Sequence, residues 1–226
     1  GEVMGVGGSF PEAFAKASLA VGDGLPREGA IFMSVADAEK DAAILMALIL
    51  NTLGFRILAT EGTNRVLTLN GVESEAVLKH TDGVHLRASL AAAAAAAANG
   101  LEPSGLPPSG LDGAGTIATA GTIANGPEAE TPIVTVVDLV ERGEIDLVIN
   151  IPRGRGARAD GYEIRRAALR QGVPTMTSAA AAYAAVQAIA NARRNRETTV
   201  TCLQDLHGRL ALAAAGNEAA LTGVAR

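Results

Sequence analysis

The stretch DLVINIPRGRGARADGYEIRRAALRQG, residues 146–172, decides the fold. Its opening DLVINIP is the clearest strand in the chain, a short apolar run of the length expected for a buried strand. Its last twelve residues, Gly161 to Gly172, read as a helix with Gly172 as the C-cap. A buried strand followed by a helix is the repeating unit of a parallel α/β sheet. The same unit recurs on both sides. Downstream, PTMT (174–177) is a short strand and SAAAAYAAVQAIANARR (178–194) a long helix. Immediately upstream, TVVDLVER (135–142) is helical.

Further upstream, AIFMSV (30–35) reads as a buried strand, followed by a helix from about Ala38 to Leu53 that Gly54 ends. FRILAT (55–60) is a second strand, NRVLTL (64–69) begins a short helix closed by Asn70 and Gly71, and AVLK (76–79) is a third strand. Strand and helix alternate throughout, which predicts parallel strands joined by right-handed crossovers. The expected fold class is α/β: a three-layer, Rossmann-like domain around a central, mostly parallel sheet of about five strands.

Two segments break this alternation. Residues 1–28 open with glycines, offer Ser9 as an N-cap, and continue with apolar Phe10, Ala13, Phe14 and Ala17 in a short amphipathic helix ended by Gly22. They read as the tail of a preceding domain plus a linker, ahead of a main domain over residues 29–210. Between about 83 and 131 an alanine run gives way to Gly, Pro, Ser and Thr with little periodicity, including the near repeat of GTIA in GTIATAGTIANG. Such composition buries too little apolar surface to offset chain ordering, so a floppy or weakly helical insertion is expected. The alanine-rich tail after His207, taken as residues 211–226, is expected to fray.

Composition bounds the function. The chain has 226 residues, enough for a real core, and it is 48% hydrophobic but only 3% aromatic, so that core is built of Ala, Val, Leu and Ile. A net charge of -5 gives no sequence-wide basic field, which argues against nucleic acid and against non-specific membrane binding. The run Ala91 to Ala98 is far short of the roughly 20 residues a membrane span needs. No charged leader with an apolar core opens the chain, and a soluble protein is expected. Cys202 is the single cysteine; it excludes an intrachain disulfide, reads as a small buried hydrophobe and fits a reducing cytoplasm. His80, His85 and His207 lack metal-ligand spacing and no nucleophile elbow occurs, so no metal site and no catalytic residues are expected.

In open parallel sheets, ligands collect at the carboxyl ends of the strands, where helix N-termini aim amide hydrogens outward. The polar residues at those ends form an anion-binding inventory: Ser34, Asp37 and Lys40; Thr60, Gly62 and Thr63; Lys79 and His80; Asn150 and the loop from Arg153 to Arg158; then Thr177 and Ser178. Within ATEGTNR (59–65), Thr60, Gly62 and Thr63 suit a phosphate cradle, or Thr63 simply caps its helix. Two ammonium groups, Lys40 and Lys79, converging on one crevice favour a counter-anion there. Arg153, Arg155, Arg158, Arg165 and Arg166 among glycines suit a ligand-covering loop, or an exposed basic loop and helix paired with Asp160 and Glu163.

These residues resemble a known family. EVMGVGGSFPEAFAKA is similar to the segment closing the second ATP-using half of the carbamoyl phosphate synthetase large subunit, and Gly29 onward resembles its C-terminal domain of methylglyoxal synthase-like fold. The matches are SVADAEK, GFRILATEGT, VLK, ERGEIDLVINIPRGRGARADGYEIRRAAL and VPTMTS. The resemblance implies an allosteric module of the glutamine-hydrolysing ligase that supplies carbamoyl phosphate for pyrimidine and arginine biosynthesis. It implies a phosphate site of Lys40, Thr60, Gly62, Thr63 and Lys79, with Asn150 lining a nucleoside pocket and Arg153 to Arg155 in the loop beside it. The implied effectors are a nucleotide of the UMP or UTP kind, IMP, or ornithine. The implied partners are the rest of the large subunit, the small glutaminase subunit and further copies of the chain. ATP and Mg or Mn would belong to catalytic halves outside this chain, leaving no cofactor within it.

The chain departs from the family pattern in two places. Glu61 stands where His is frequent, and an acid beside a phosphate pocket disfavours a second negative charge. Ile151 and Pro152 stand where threonines often follow the fourth strand, which removes two hydroxyl donors. Two alternatives are a methylglyoxal synthase-type lyase and a structural or oligomerisation domain with a decayed site. The lyase needs a carboxylate base, and the resemblance places Ile133 and Arg153 where the related enzymes carry acids.

Overall fold

The apolar runs of the sequence become the strands β1 (Ala30–Val35), β2 (Arg56–Thr60), β3 (Glu75–Val77), β4 (Leu147–Ile151) and β5 (Thr175–Met176). A computed structural model describes residues 2–22, 24–98, 133–153, 155–194 and 202–222. The strands form one sheet in the order β3-β2-β1-β4-β5, and every neighbouring pair is parallel. Ile31 lies opposite Leu147 and Ser34 opposite Asn150, so β1 and β4 end together.

The helices are α1 (Phe10–Val21), α2 (Lys40–Thr52), α3 (Glu61–Leu69), α4 (His80–Ala98), α5 (Val136–Glu141), α6 (Arg155–Gln171), α7 (Ala179–Arg194) and α8 (Leu203–Thr222). They cover the sheet on both faces because successive strand residues point to opposite sides. Ile31, Met33, Val35, Leu147 and Ile149 pack on one face with Ala43, Met46, Ala47 and Leu50 of α2 and with Ala182, Val186 and Ile189 of α7. Those α2 positions recur at i, i+3, i+4 and i+7, the stripe of an amphipathic helix. Ala30, Phe32, Leu58 and Val148 pack on the other face with Val136 and Val140 of α5 and Ile164, Ala167 and Ala168 of α6. Each fully buried Ile or Leu in these clusters contributes about 1.5–3 kcal/mol.

The chain divides into two compact units, residues 1–194 and 195–226. In the first, α1 lies along α7. Ser9 stands at its N-cap without a side-chain bond; the Gly8 amide instead donates to the Glu12 carboxylate at 2.9 Å, and Gly22, at φ 96°, ends the helix. The described part of the second unit holds α8, which extends through Thr222, so residues 208–222 are helical. Ala, Leu and Gln are strong helix formers, and that propensity sets the local structure there.

Several element boundaries differ from the sequence reading. Helix α3 begins at Glu61, directly on the end of β2, three residues before the expected Asn64. Helix α6 begins at Arg155, so the expected glycine loop is shorter than it looked; Arg155 opens a helix, and its side chain lies outside the described residues. The alanine run to Ala98 belongs to α4, while residues 99–132, the remainder of the expected insertion, lie outside the described residues. Cys202 is exposed, not buried.

A capping box starts α5. The Asp138 carboxylate accepts from the Thr135 amide at 2.8 Å and from the Thr135 hydroxyl at 2.7 Å, and Arg87 of α4 reaches the same oxygen at 3.0 Å. Burial pushes the Asp138 carboxyl up, but the Thr135 and Arg87 donors outweigh it and hold the group below the ordinary carboxylate range. Such a group stabilises the fold above its unfolded pKa, near 4, and loses that contribution as pH falls through its lower native value. Asp138→Asn is therefore expected to cost about 1 kcal/mol near neutral pH, with the two denaturation curves converging in acid. Equal stability of the two proteins at pH 7 in urea titrations would contradict this.

Candidate anion site at the strand ends

Helix α2 follows β1 on one face of the sheet and α6 follows β4 on the other, which makes the junction of β1 and β4 the topological switch point. A cleft of about 760 Å3 opens there. It is lined by Ser34 and Val35 of β1, Asp37 and Lys40 at the start of α2, Thr60 of β2, Glu61, Gly62 and Thr63 of α3, Lys79 and Asp82 beyond β3, and Asn150 to Arg153 at the end of β4. Gly161 and Ile164 of α6 complete the wall. Seven of the eight residues proposed from the sequence for the effector site, Lys40, Thr60, Gly62, Thr63, Lys79, Asn150 and Arg153, thus share one cavity, and the side chain of the eighth, Arg155, lies outside the described residues. Thr177, Ser178 and His80 are not among the lining residues; the Ser178 hydroxyl accepts from the Ala181 amide at the start of α7.

Thr63 is buried in the first turn of α3, and its hydroxyl fastens that helix to β1. Its Oγ1 accepts from the Val35 amide at 3.2 Å and from the Thr60 hydroxyl at 3.3 Å, and donates to the Val35 carbonyl at 3.5 Å. Neither sequence reading describes this fully. The hydroxyl does not cap α3; it sets where the first turn of α3 sits, and with it the helix amides that lack intrahelical partners.

Lys40 crosses the same region. Its Nζ donates to the Gly62 carbonyl at 2.5 Å and pairs with Asp37 at 3.1 Å. The lysine side chain is 14% exposed and that of Asp37 98%, so the ammonium is fixed against α3 while its carboxylate partner stands in solvent. A Cβ on Gly62 would lie 3.4 Å from that Nζ, an ordinary contact. Asn150 is buried at the opposite wall, and its Nδ2 donates to the Gly161 carbonyl at 3.4 Å. A Cβ on Gly161 would come within 2.5 Å of that nitrogen.

Sequence reasoning missed Gly161 and Asp82. Glycine inside a helix costs about 1 kcal/mol against alanine, so its presence in α6 was a legible sign of close packing. Asp82 stands three residues after Lys79, the spacing that puts two side chains on one helical face. No group of three or more His, Cys, Asp or Glu able to hold a metal occurs among the described residues, and none of the described helices is long and apolar enough to cross a membrane.

This geometry defines a class: a parallel α/β domain whose switch-point crevice gathers lysines from two strand ends and the first turn of a helix. The chain belongs to the MGS-like domain family, whose model matches residues 43–177. It is 38% identical over 97% of its length to the carbamoyl phosphate synthase large chain of Micrococcus luteus and 38% over 96% to that of Renibacterium salmoninarum. It is also 38% identical over 92% of its length to the carbamoyl phosphate synthase large chain, C-terminal section, of Methanopyrus kandleri. The chain spans 16% of the length of the first two and 29% of the third.

Replacing Thr63 by Val leaves the buried Val35 amide and the Thr60 hydroxyl without their acceptor. We expect a loss of about 1–3 kcal/mol in guanidinium unfolding, largely restored by Thr63→Ser. A Thr63→Val protein as stable as the parent would show that this tie does not hold α3.

Proposed function

We propose that this chain is the effector-binding regulatory domain of a cytoplasmic, glutamine-hydrolysing carbamoyl phosphate synthase large subunit, controlling carbamoyl phosphate supply for pyrimidine and arginine biosynthesis. It performs no chemistry by itself. The observation that carries this reading is that Lys40, Thr60, Gly62, Thr63, Lys79 and Asn150 line one cleft at the switch point. The relatives' names supply the enzyme.

In this reading the phosphate of a nucleotide sits over the first turn of α3. Lys40 and Lys79 neutralise it, the α3 amides donate to it, and the Thr60 hydroxyl turns from Thr63 toward it. Asn150 and Arg153 line the nucleoside side, and Arg155 lies at the start of the neighbouring helix. UMP, UTP, IMP and ornithine are the effectors to test. A ligand regulates by binding one of two states of the whole enzyme more tightly, and a coupling of about 1–3 kcal/mol would suffice. The remainder of the large subunit and the small glutaminase subunit are then the partners. ATP and its metal belong to the catalytic portion.

Calorimetric titration of the chain tests this directly. A saturable heat with one of these ligands is expected, and Lys40→Ala and Lys79→Ala should each weaken a phosphate ligand by about 1–3 kcal/mol, as for a lost charge-assisted contact. Absence of heat with all four would favour a structural or oligomerisation domain, and unchanged affinity in both variants would reject the pocket.

One observation favours a second reading. Asp37, Glu61 and Asp82 line the same cleft as the lysines, so carboxylates that could act as a base stand beside the phosphate position even though Ile133 and Arg153 occupy the expected places. A methylglyoxal synthase-type lyase would release phosphate from dihydroxyacetone phosphate. The regulatory reading predicts no methylglyoxal in that assay, and sustained turnover would replace it.

A further inference from the structure

Lys79 reaches the cleft from the short stretch between β3 and α4, and Asp82 from the first turn of α4. Where that turn stands decides where both charges stand. Backbone contacts fix one side of it: Leu78 forms a parallel bridge with Thr135, the Val136 amide donates to the Leu78 carbonyl at 3.0 Å, and the Gly83 amide donates to the Lys79 carbonyl at 3.1 Å. Gly83 is buried, and a Cβ there would collide with the Thr135 methyl, so α4 can start against Thr135 only with glycine at this position.

Beyond Gly83 the helix has no such seat. Every residue from Val84 to Ala92 is exposed, so apolar burial does little to fix how α4 leaves the body of the domain. Arg87, one turn after Gly83, reaches back instead. Its Nη2 donates to the Ile133 carbonyl at 2.6 Å and to the Asp138 carboxylate at 3.0 Å. The same carboxylate accepts from the Thr135 amide and hydroxyl, so the guanidinium grips the segment that also bridges Leu78.

Resting on the effector-site reading above, we infer that Arg87 is a positioning residue for the cleft: by clamping α4 to the start of α5 it fixes the places from which Lys79 and Asp82 face a ligand. Arg87 is not among the lining residues, and its side chain is 46% exposed. An exposed ion pair adds little to global stability, so its main consequence is geometric. A shift of roughly 1 Å away from α5 would stretch both Arg87 contacts beyond hydrogen-bond length. Lys79 would then have to make up the displacement with its own side chain, losing alignment on a bound phosphate.

The test is a pair of double-mutant cycles on the full chain, read by calorimetry with UMP, with circular dichroism verifying the fold of each variant. Arg87→Met keeps part of the stem and removes the donors. It is expected to weaken UMP about fivefold in the parent and in Lys40→Ala, but less than about twofold in Lys79→Ala, where the group it positions is already gone. Asp138→Asn is carried through the same cycles as a second variant. Loss of a carboxylate would tighten an anion through charge alone, whereas loss of the clamp weakens it, so weaker UMP binding with the same dependence on Lys79 is expected. An equal loss in all three backgrounds, no loss in the parent, or tighter binding in Asp138→Asn would overturn the inference while leaving the effector site standing. Failure of both UMP and inorganic phosphate to bind the parent would overturn both.

Discussion

Helices α2 and α6 leave adjacent parallel strands toward opposite faces of the sheet, so the space beyond the carboxyl ends of β1 and β4 is left to side chains. The rest of the molecule follows from that reversal. The chain runs outward from β1 to β3, then back across to β4, and the sheet grows on both sides of β1. The apolar alternation of β1 and β4 supplies the rigidity: Ile31, Met33, Ile149 and their neighbours are buried on one face, Phe32 and Val148 on the other. Side chains at the ends of these strands consequently stand on fixed mounts.

The cleft is built by a short chain of polar contacts above that core. Thr63 ties α3 to the end of β1, Lys40 donates to the Gly62 carbonyl of α3, and Gly161 lets Asn150 lie against α6. Each contact joins a residue on one element to backbone on another. The lining of the cleft is thereby tied to the positions of α3 and α6.

Much of this was legible in the sequence, and for physical reasons. AIFMSV and DLVINIP are apolar at every core position, and strands buried on both faces have no polar side to confuse the pattern. Lys40, Thr60, Lys79 and Asn150 could be gathered into one site because parallel topology alone brings strand ends together. What could not be read was where helices begin. Arg155 to Asp160 looks like a loop because glycine and arginine give no apolar stripe there, yet α6 already runs through them. The role of Thr63 was hidden because its partner is a backbone amide 28 residues away. Asp82 was not legible because an exposed acid near a helix start looks like ordinary solvated surface until a cavity gathers it.

The most direct measurement is a crystal structure of the chain soaked with UMP at saturating concentration. Phosphate density over the first turn of α3, with oxygens about 3 Å from the Nζ atoms of Lys40 and Lys79, is the predicted result. A nucleotide bound elsewhere on the molecule, with the crevice between β1 and β4 unoccupied, would contradict the account.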